Sequence, residues 1–192
     1  VTLVSHNSVS SNATGSNASY SPLISADGRY IIYLTLAENL VTGQIDGPLT
    51  RDVFLYDRLN GTNRLVSHRA TSPVTTAGVE EVREISSDGR YVVFVSFGTN
   101  LVTGLTDTNQ TQDIFCFDQE TGTIMAVSRD ATGQGTSNQG GIRPQISADG
   151  RFIVYSSYST NVVPGQIENL GGGLDVFLFD RVLQTTALVT HQ

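Results

Sequence analysis

The apolar positions of the chain fall into short runs that are too brief for helices and too continuous for half-exposed strands. A continuous apolar strand is buried on both faces, whereas a half-buried strand alternates. No segment shows the 3.6-residue period of an amphipathic helix, so the pattern predicts an all-β fold. Nearly unbroken runs of Tyr, Ile, Val and Phe stand at 30–35, 91–96 and 152–157, and further runs begin at Asp52, Asp113 and Asp175.

An internal repeat organises these runs. The segment Ile-Ser-Ala-Asp-Gly-Arg-Tyr returns almost unchanged, and its copies stand 61 positions apart at 24–30, 85–91 and 146–152. A later element, Leu-Val-Ser-His at 65–68, also occurs near the start of the chain at 3–6. Self-similarity of this kind determines the architecture. The chain therefore consists of three full units plus one extra copy of the last element.

Each unit is predicted to contain four antiparallel strands. Asp-Gly forms a tight turn between the first two, because glycine accepts positive φ and aspartate hydrogen-bonds its own backbone. Sheets that are apolar on both faces suit a β-propeller, whose blades stack face to face. The alternative is a β-trefoil, although a 61-residue unit is long for that fold and two-sided apolar strands fit it less well. The prediction is one propeller segment over 1–192, with an extra outer strand at 1–6 and blades at 20–68, 81–129 and 142–191.

Three blades are too few to close a propeller, because known rings use about four to eight. The extra element at 1–6 does not repair this, since the last unit has its own fourth strand at 186–191. The open ends of a repeat array need a partner. We therefore expect other copies, or other blades of a larger protein assembly, to complete the ring. The chain lacks an initiator Met and begins within a repeat, which favours a processed or excised segment.

Composition excludes several classes of function. The chain has 192 residues, of which 15% are charged, and a net charge of −7. This acidic balance argues against binding to nucleic acid or to an anionic membrane surface. No apolar run approaches the ~18 residues of a membrane span. The single cysteine, Cys116, excludes an internal disulfide and a multi-cysteine metal site. Its place in a strand predicts a small core residue.

The repeat resembles a known family. Ile-Ser-Ala-Asp-Gly-Arg-Tyr-Ile-Ile-Tyr at 24–33, followed by Asp-Val-Phe-Leu-Tyr-Asp at 52–57, is similar to the WD40-like PD40 repeat of TolB-type propellers. The resemblance covers all three units, although the usual proline before Asp-Gly is Ala26, Ser87 or Ala148 here. The units also contain Asn-Leu-Val, at 39–41 and 100–102, followed by a long loop before the third strand. This variant of the repeat resembles repeats of secreted or surface proteins of environmental bacteria. The resemblance implies a propeller, an extracellular or cell-envelope location, and a binding or scaffold role without shared catalytic residues.

Acidic residues recur in the loops before the third strand of each unit. Calcium requires several carboxylate, amide or carbonyl oxygens at about 2.3–2.6 Å. The spacing therefore predicts a calcium site, with the best match in the second unit, although the loop lacks the EF-hand pattern. The alternative is that these residues form Asx-turns that start the third strand. The candidate ligands are Asp46, Asp52, Asp107, Asn109 and Asp113, and in the third unit the equivalent positions are Asn169 and Asp175.

The long loops gather on one side of an antiparallel unit and are rich in Ser, Thr, Asn, Gln and Gly. Such a surface suits a glycan or a protein partner.

His6, His68 and His191 are repeat-equivalent and are therefore not expected to converge on a metal. We expect a non-enzymatic structural or protein-interaction module. The alternatives are a calcium-assisted glycan-binding propeller, and a fragment of an enzyme whose first candidate acids are Glu80, Glu81 and Glu84.

Overall fold

The structure consists of antiparallel sheets. Their strands are joined by tight turns on one side and by long loops on the other. The computed structural model describes residues 1–47, 50–79, 81–167 and 173–190. Within these ranges no residue is helical, and there is no helix long and apolar enough to cross a membrane. The strands are β1 (Ser19–Ile24), β2 (Tyr30–Thr35), β3 (Asp52–Asp57), β4 (Thr62–Leu65), β5 (His68–Arg69), β6 (Ser72–Thr76), β7 (Glu81–Ile85), β8 (Tyr91–Ser96), β9 (Asp113–Asp118), β10 (Thr123–Ala126), β11 (Ile142–Ile146), β12 (Phe152–Ser157), β13 (Asp175–Asp180) and β14 (Thr185–Leu188).

Each sequence unit forms its own four-stranded sheet. The first sheet has the order β1-β2-β3-β4, the second β7-β8-β9-β10 and the third β11-β12-β13-β14, and β5 and β6 form a separate two-stranded sheet. The all-β prediction and the four-stranded antiparallel units are confirmed. Separate sheets are the arrangement expected of propeller blades, and not of a β-trefoil. The innermost strands β1, β7 and β11 are neighbours in space, as in sheets that are arranged around an axis.

The extra N-terminal strand expected at 1–6 is not formed, and that prediction was wrong. Among the described residues, its only ladder contact is an isolated bridge between His6 and Thr14. Strand β4, whose last residue Leu65 is the repeat equivalent of Leu3, pairs with β3 from Phe54↔Leu65 to Asp57↔Thr62. No strand of the described residues pairs with residues 1–6. Repeat sequence without a pairing partner therefore does not make a strand.

The Asp-Gly turns are held by the same contacts in every sheet. Ser25 Oγ donates a hydrogen bond to Asp27 Oδ1 (2.5 Å), and the Tyr30 N–H donates to Ser25 Oγ (3.0 Å). Asp27 Oδ1 also accepts from the Arg29 N–H (2.9 Å). Gly28 has a φ of 69°, a conformation that costs little only for glycine. The equivalent bonds are made by Ser86 with Asp88 and by Ser147 with Asp149.

An arginine–aspartate pair joins the two tight turns of each sheet. The Arg29 guanidinium donates to both carboxylate oxygens of Asp57, at 3.2 and 2.8 Å. Asp57 Oδ1 also accepts the Leu59 N–H at 2.9 Å. The hydrogen bonds from Arg29 lower the pKa of Asp57 to about 2, against the opposing effect of partial burial. The pairs of Arg90 with Asp118 and of Arg151 with Asp180 repeat this contact in the other sheets.

Successive sheets pack face to face. We call the face that meets the following sheet the forward face, and the face that meets the preceding sheet the backward face. The forward face of the first sheet and the backward face of the second form one apolar cluster. The forward face of the second sheet and the backward face of the third form another. Each backward face carries a stacked pair of aromatic rings, with centroids 5.5–6.2 Å apart: Tyr33 with Phe54, Phe94 with Phe115, and Tyr155 with Phe177.

The Asp-Gly turns also connect one sheet to the next. The Ala26 N–H donates to the Ser87 carbonyl oxygen, and the Ser87 N–H donates to that of Ala148, both at 3.0 Å. A Cβ on Gly150 would lie 2.2 Å from Cδ2 of Tyr91 in the preceding sheet. The Arg181 guanidinium lies 3.7 Å from the centroid of the same ring. The turn residues therefore act in the interface as well as in the turn.

The glycine of an Asp-Gly turn is predicted to matter more where it meets a neighbouring ring. Gly150→Ala and Gly28→Ala both place alanine at positive φ (72° and 69°), a cost of about 1–2 kcal/mol. Only Gly150 has a ring in the way, since no atom lies within 4 Å of a Cβ on Gly28. We expect Gly150→Ala to lower the free energy of unfolding by about 1–3 kcal/mol more than Gly28→Ala, as measured by urea titration. Equal losses would contradict the interface role.

Candidate functional site

The long loops bring the predicted calcium ligands into two clusters. The loop between β2 and β3 runs beside the segment that follows the first sheet, through a parallel bridge between Ile45 and Thr75. The loop between β8 and β9 does the same through Thr106 and Gly135. The first loop cluster comprises Asp46, Thr50, Asp52, Ser67 and Thr76. The second loop cluster comprises Asp107, Asn109, Asp113, Ser128 and Thr136.

The aspartate that opens each third strand is bonded to the strand beside it. Ser67 Oγ donates to Asp52 Oδ1 (3.1 Å) and accepts the Val53 N–H (3.0 Å). The same pair of bonds is made by Ser128 with Asp113 (2.7 Å) and by Thr190 with Asp175 (2.8 Å). Each carboxylate therefore has a structural role, which is to hold the end of the fourth strand against the start of the third.

In the first loop cluster, one threonine hydroxyl lies between two carboxylates. Asp46 Oδ1 accepts from the Thr76 hydroxyl at 2.7 Å and also from the Thr50 hydroxyl. Thr50 Oγ1 lies 3.4 Å from Asp52 Oδ2. Asp52 is fully buried, and burial together with the negative charge of Asp46 raises its pKa to about 7, although the Ser67 hydrogen bond opposes the shift.

In the second loop cluster, the amide of Asn109 directs its hydrogens at the carboxylate. Asn109 Nδ2 donates to Asp113 Oδ2 (2.9 Å) and to the Ser137 carbonyl oxygen (2.7 Å). Its Oδ1 accepts the Thr111 N–H (2.8 Å), which is an Asx-type turn. Burial raises the pKa of Asp113 to about 7, with the Ser128 and Asn109 hydrogen bonds opposing and the charge of Asp107 adding to the shift.

The structure thus brings the predicted ligands together in two groups. Asp46 lies beside Asp52, and both Asp107 and Asn109 lie beside Asp113. Within the described ranges, no three His, Cys, Asp or Glu side chains gather as a metal-binding group. In the third unit, Asp175 is described, whereas Asn169 and its neighbours at 168–172 lie outside the described residues. Calcium binding therefore stays a prediction.

Sequence reasoning missed the hydroxyl partners of these carboxylates. Ser67, Ser128 and Thr190 each follow their aspartate by 15 positions, so a repeat-aligned reading of the small polar residues would have found them. Thr76 and Thr136 carry no such signal. They reach the clusters only because the segment after each sheet folds back over the preceding loop.

The other candidate side chains do not form a site in the described part of the chain. His6 Nε2 lies 3.2 Å from the Gly61 carbonyl oxygen, and His68 Nε2 lies 3.2 Å from that of Gly122, so each histidine contacts a different turn. Cys116 is 2% exposed within the core, as expected, and burial raises its pKa to about 12. Glu81 is paired with Arg83. Glu80 and His191 lie outside the described residues.

Comparison with solved structures finds similar folds, one of which is a β-propeller domain. The β-propeller domain of the trilobed protease from Pyrococcus furiosus matches with a TM-score of 0.55 and 12% identity, over 89% of this chain and 41% of that one. A prolyl endopeptidase matches with a TM-score of 0.52 and 13% identity, over 92% and 22%. TolB from Acinetobacter baumannii matches with a TM-score of 0.49 and 15% identity, over 92% and 33%.

The match to the β-propeller domain of the trilobed protease confirms the expected propeller fold. The chain spans 22–41% of the length of these three proteins. No family model matches the chain, and no curated protein matches it by sequence.

Stability is predicted to peak near pH 4–5. Asp52 and Asp113 have folded pKa values of about 7, above the unfolded value of about 3.9. The folded state therefore binds more protons between these values, and stability falls as pH rises from 4 to 7, by at most about 1.4 kcal/mol per pH unit for each site. Asp57, with a pKa of about 2, has the opposite sign, so its contribution is lost below pH 4.

Thermal unfolding between pH 3 and 8 measures this dependence. We expect Asp52→Asn to flatten the decline above pH 5, because the neutral amide no longer has to ionise inside the protein. The matched variant Asp57→Asn should flatten only the acid limb. A decline above pH 5 that is unchanged in Asp52→Asn would contradict the assignment.

Calcium binding is predicted to be weak. A cation at the second loop cluster must displace the amide hydrogens that Asn109 directs at Asp113. We therefore expect affinity in the range of about 0.1–1 mM that is typical of extracellular modules. The melting temperature at pH 8 should rise with millimolar calcium and return with chelator, and Asp113→Asn should abolish the rise. No shift at 10-fold excess over that range would contradict the prediction.

Proposed function

We propose that this chain is a propeller segment with a non-enzymatic, structural or protein-interaction role in a secreted or envelope-associated assembly. Its three sheets are blades, and their number falls short of the roughly four that the smallest known rings use. The proposal is supported mainly by one observation. The forward face of the third sheet is apolar and half-exposed, whereas the equivalent faces of the other two sheets are buried.

The burial of equivalent strands supports this difference. β8 is buried at every position, as are β3 and all but the last residue of β9. β12 alternates between buried and half-exposed residues although its sequence is similarly apolar. Large apolar surfaces of soluble proteins mark interaction sites when they remain exposed. An interaction role therefore accounts for a face that the chain itself leaves open.

The repeated side chains support a structural role over a catalytic one. The acidic residues that recur, such as Asp27 and Asp57, are engaged in turn and interface contacts. The unrepeated Glu81 is paired with Arg83, and Glu84 lies in β7 opposite Val93. We propose no reaction. The extracellular or envelope location rests on the resemblance of the repeat to exported propellers.

Calcium-assisted recognition of a glycan is a second candidate. It is favoured by Phe97 and Tyr158, aromatic rings that are 50% and 58% exposed at equivalent positions just after β8 and β12. Exposed aromatic rings beside hydroxyl and amide groups suit sugar rings, which are apolar on their faces and polar at their edges. This candidate depends on the calcium prediction above and fails with it.

The proposed function predicts that the chain is part of a larger particle in its native source. The measurement is the mass of the native particle, by native mass spectrometry or light scattering. We expect a discrete mass well above the 20.6 kDa of the chain, because the half-exposed apolar face needs a cover. A folded 20.6 kDa monomer isolated from the native source would contradict the proposal.

A further inference from the structure

The outer contact between the end of one unit and the next sheet, which we call a seam, is built differently in the two places where the units meet. In the first seam, the ring of Phe117 has the Arg64 guanidinium 5.1 Å from its centroid and the His68 ring 5.9 Å away, edge-on. His68 is 7% exposed, and its Nε2 lies 3.2 Å from the carbonyl oxygen of Gly122. The histidine therefore closes the first seam.

The N-terminal residues close the corresponding contact of the first sheet in the same way. The His6 ring lies 5.8 Å from that of Tyr56, edge-on, and its Nε2 lies 3.2 Å from the Gly61 carbonyl oxygen. His6 is 8% exposed. A buried histidine that contacts both an aromatic ring and a turn glycine is therefore found in two of the three equivalent places.

The second seam, between the second unit and the third sheet, departs from this form at three positions. The replacements are Met125 for Arg64, Arg129 for His68 and Gln184 for Gly122. They meet in space, since Arg129 Nη2 donates to Gln184 Oε1 at 3.3 Å and the guanidinium lies 5.6 Å from the Phe179 centroid. A Cβ on Gly122 would lie 2.3 Å from Nη2 of Arg64. The methionine that replaces this arginine therefore makes room for the glutamine side chain.

Gln184 holds a backbone conformation that favours glycine. Its φ is 54°, and the equivalent turn positions are Gly61 and Gly122, with φ of 66° and 74°. A residue with a side chain pays free energy for this conformation. Backbone strain of this kind is concentrated at functional sites. The third sheet thus keeps a glutamine in a strained turn, bonded to an arginine that also breaks the repeat.

Arg129 is a half-buried cation without an acidic partner in the described part of the chain. Burial lowers its pKa, and no neighbouring carboxylate opposes that shift. The adjacent Asp130 is engaged in its own turn, where Oδ1 accepts the N–H and the hydroxyl of Thr132 at 3.0 and 2.7 Å. The arginines of the three Asp-Gly turns, by contrast, each pair with an aspartate. Arg129 is therefore available to an anion from outside the chain.

Open space surrounds this guanidinium. Arg129 and Gln184 line two adjacent cavities, of about 240 and 310 Å³, which together form one groove along the second seam. We call it the Arg129 groove. Its apolar lining residues include Leu105, Ile124 and Met125 in the larger cavity, and Val162 and Phe179 in the smaller. The groove is formed by two sheets of the chain itself, so it does not depend on what lies beyond either terminus.

A guanidinium among apolar side chains suits a carboxylate that is carried between apolar groups. Arginine binds carboxylates through two parallel N–H···O bonds. Methionine adapts its shape to different apolar side chains, as Met125 can do in the groove. A sugar fits less well, because the Phe179 ring is 1% exposed and offers it no free face.

We propose that the Arg129 groove binds an acidic peptide segment of a partner protein, in which an aspartate or glutamate flanked by apolar residues pairs with Arg129. This assignment rests on the proposed protein-interaction role and adds a surface and the chemistry of the partner.

The test is the binding of the purified chain to two pools of capped, fluorescently labelled hexapeptides, measured by fluorescence anisotropy at pH 8. One pool has glutamate at the third position and the other has glutamine there, and the remaining positions are drawn from Leu, Val, Ala, Ser and Thr. We expect the glutamate pool to bind about tenfold or more tightly, which is the effect of one charge-assisted hydrogen-bonded pair.

Arg129→His is the matched variant, because the same position carries histidine in the other seams. It should lose the preference for glutamate and keep the melting temperature of the wild type. The control is Arg143→Gln, which removes the same charge from an exposed position outside the groove and should bind as the wild type does.

Gln184→Gly separates a binding role from a structural one. It restores the glycine of the other two turns and relieves the positive φ. We expect its melting temperature to rise while its affinity for the glutamate pool falls, because Gln184 no longer orients the guanidinium. A fall in melting temperature with unchanged affinity would assign the glutamine a structural role and contradict the proposed site.

Equal binding of the two pools by the wild type, or a preference that Arg129→His leaves intact, overturns the inference. Binding of alginate, an acidic polysaccharide, with neither pool bound also overturns it and supports the glycan candidate instead. None of these results contradicts the proposed function if the native particle is large. A lone native monomer contradicts the proposed function, whatever the groove binds.

Discussion

The packing of one sheet face against the next is the interaction on which the rest of this structure depends. The central strands β2, β3, β8 and β9 are apolar along both faces, and a single sheet can hide only what another surface covers. At about 25 cal/mol per Å² of apolar area, these contacts are the main favourable term in folding. We therefore expect each sheet to depend on its neighbours for stability, as in other repeat proteins.

The turn residues make this packing specific. Asp27, Arg29 and Asp57 set the spacing between the first and last turns of a sheet. Gly89 lets the same type of turn approach the aromatic ring of the preceding sheet. Because these residues recur for structural reasons, repetition is a poor guide to function in this chain. Function is more readily sought where an equivalent position has a different environment, as Val154 has relative to Val93.

Much of the fold follows from the sequence because the forces that form it are local or periodic. The apolar run at 30–35 and the Asp-Gly turn before it predict β2 within its observed bounds. The element at 3–6 is not a strand, because strand formation depends on pairing and no strand of the described residues pairs with it. The sequence predicts only some of the residues in the two loop clusters. The spacing from Asp52 to Ser67 is visible in the sequence, whereas the contact of Thr76 with Asp46 arises from how two long loops cross.

The central claim is that each sheet is stabilised by the surfaces that cover its faces, and native-state hydrogen exchange tests it most directly. β9 lies between two sheets, whereas β13 has only one covered face. Opening free energies follow the local burial of apolar contacts. The backbone amides of β13 should exchange faster than those of β9, because β13 is less buried. Equal protection of the two strands would contradict the claim.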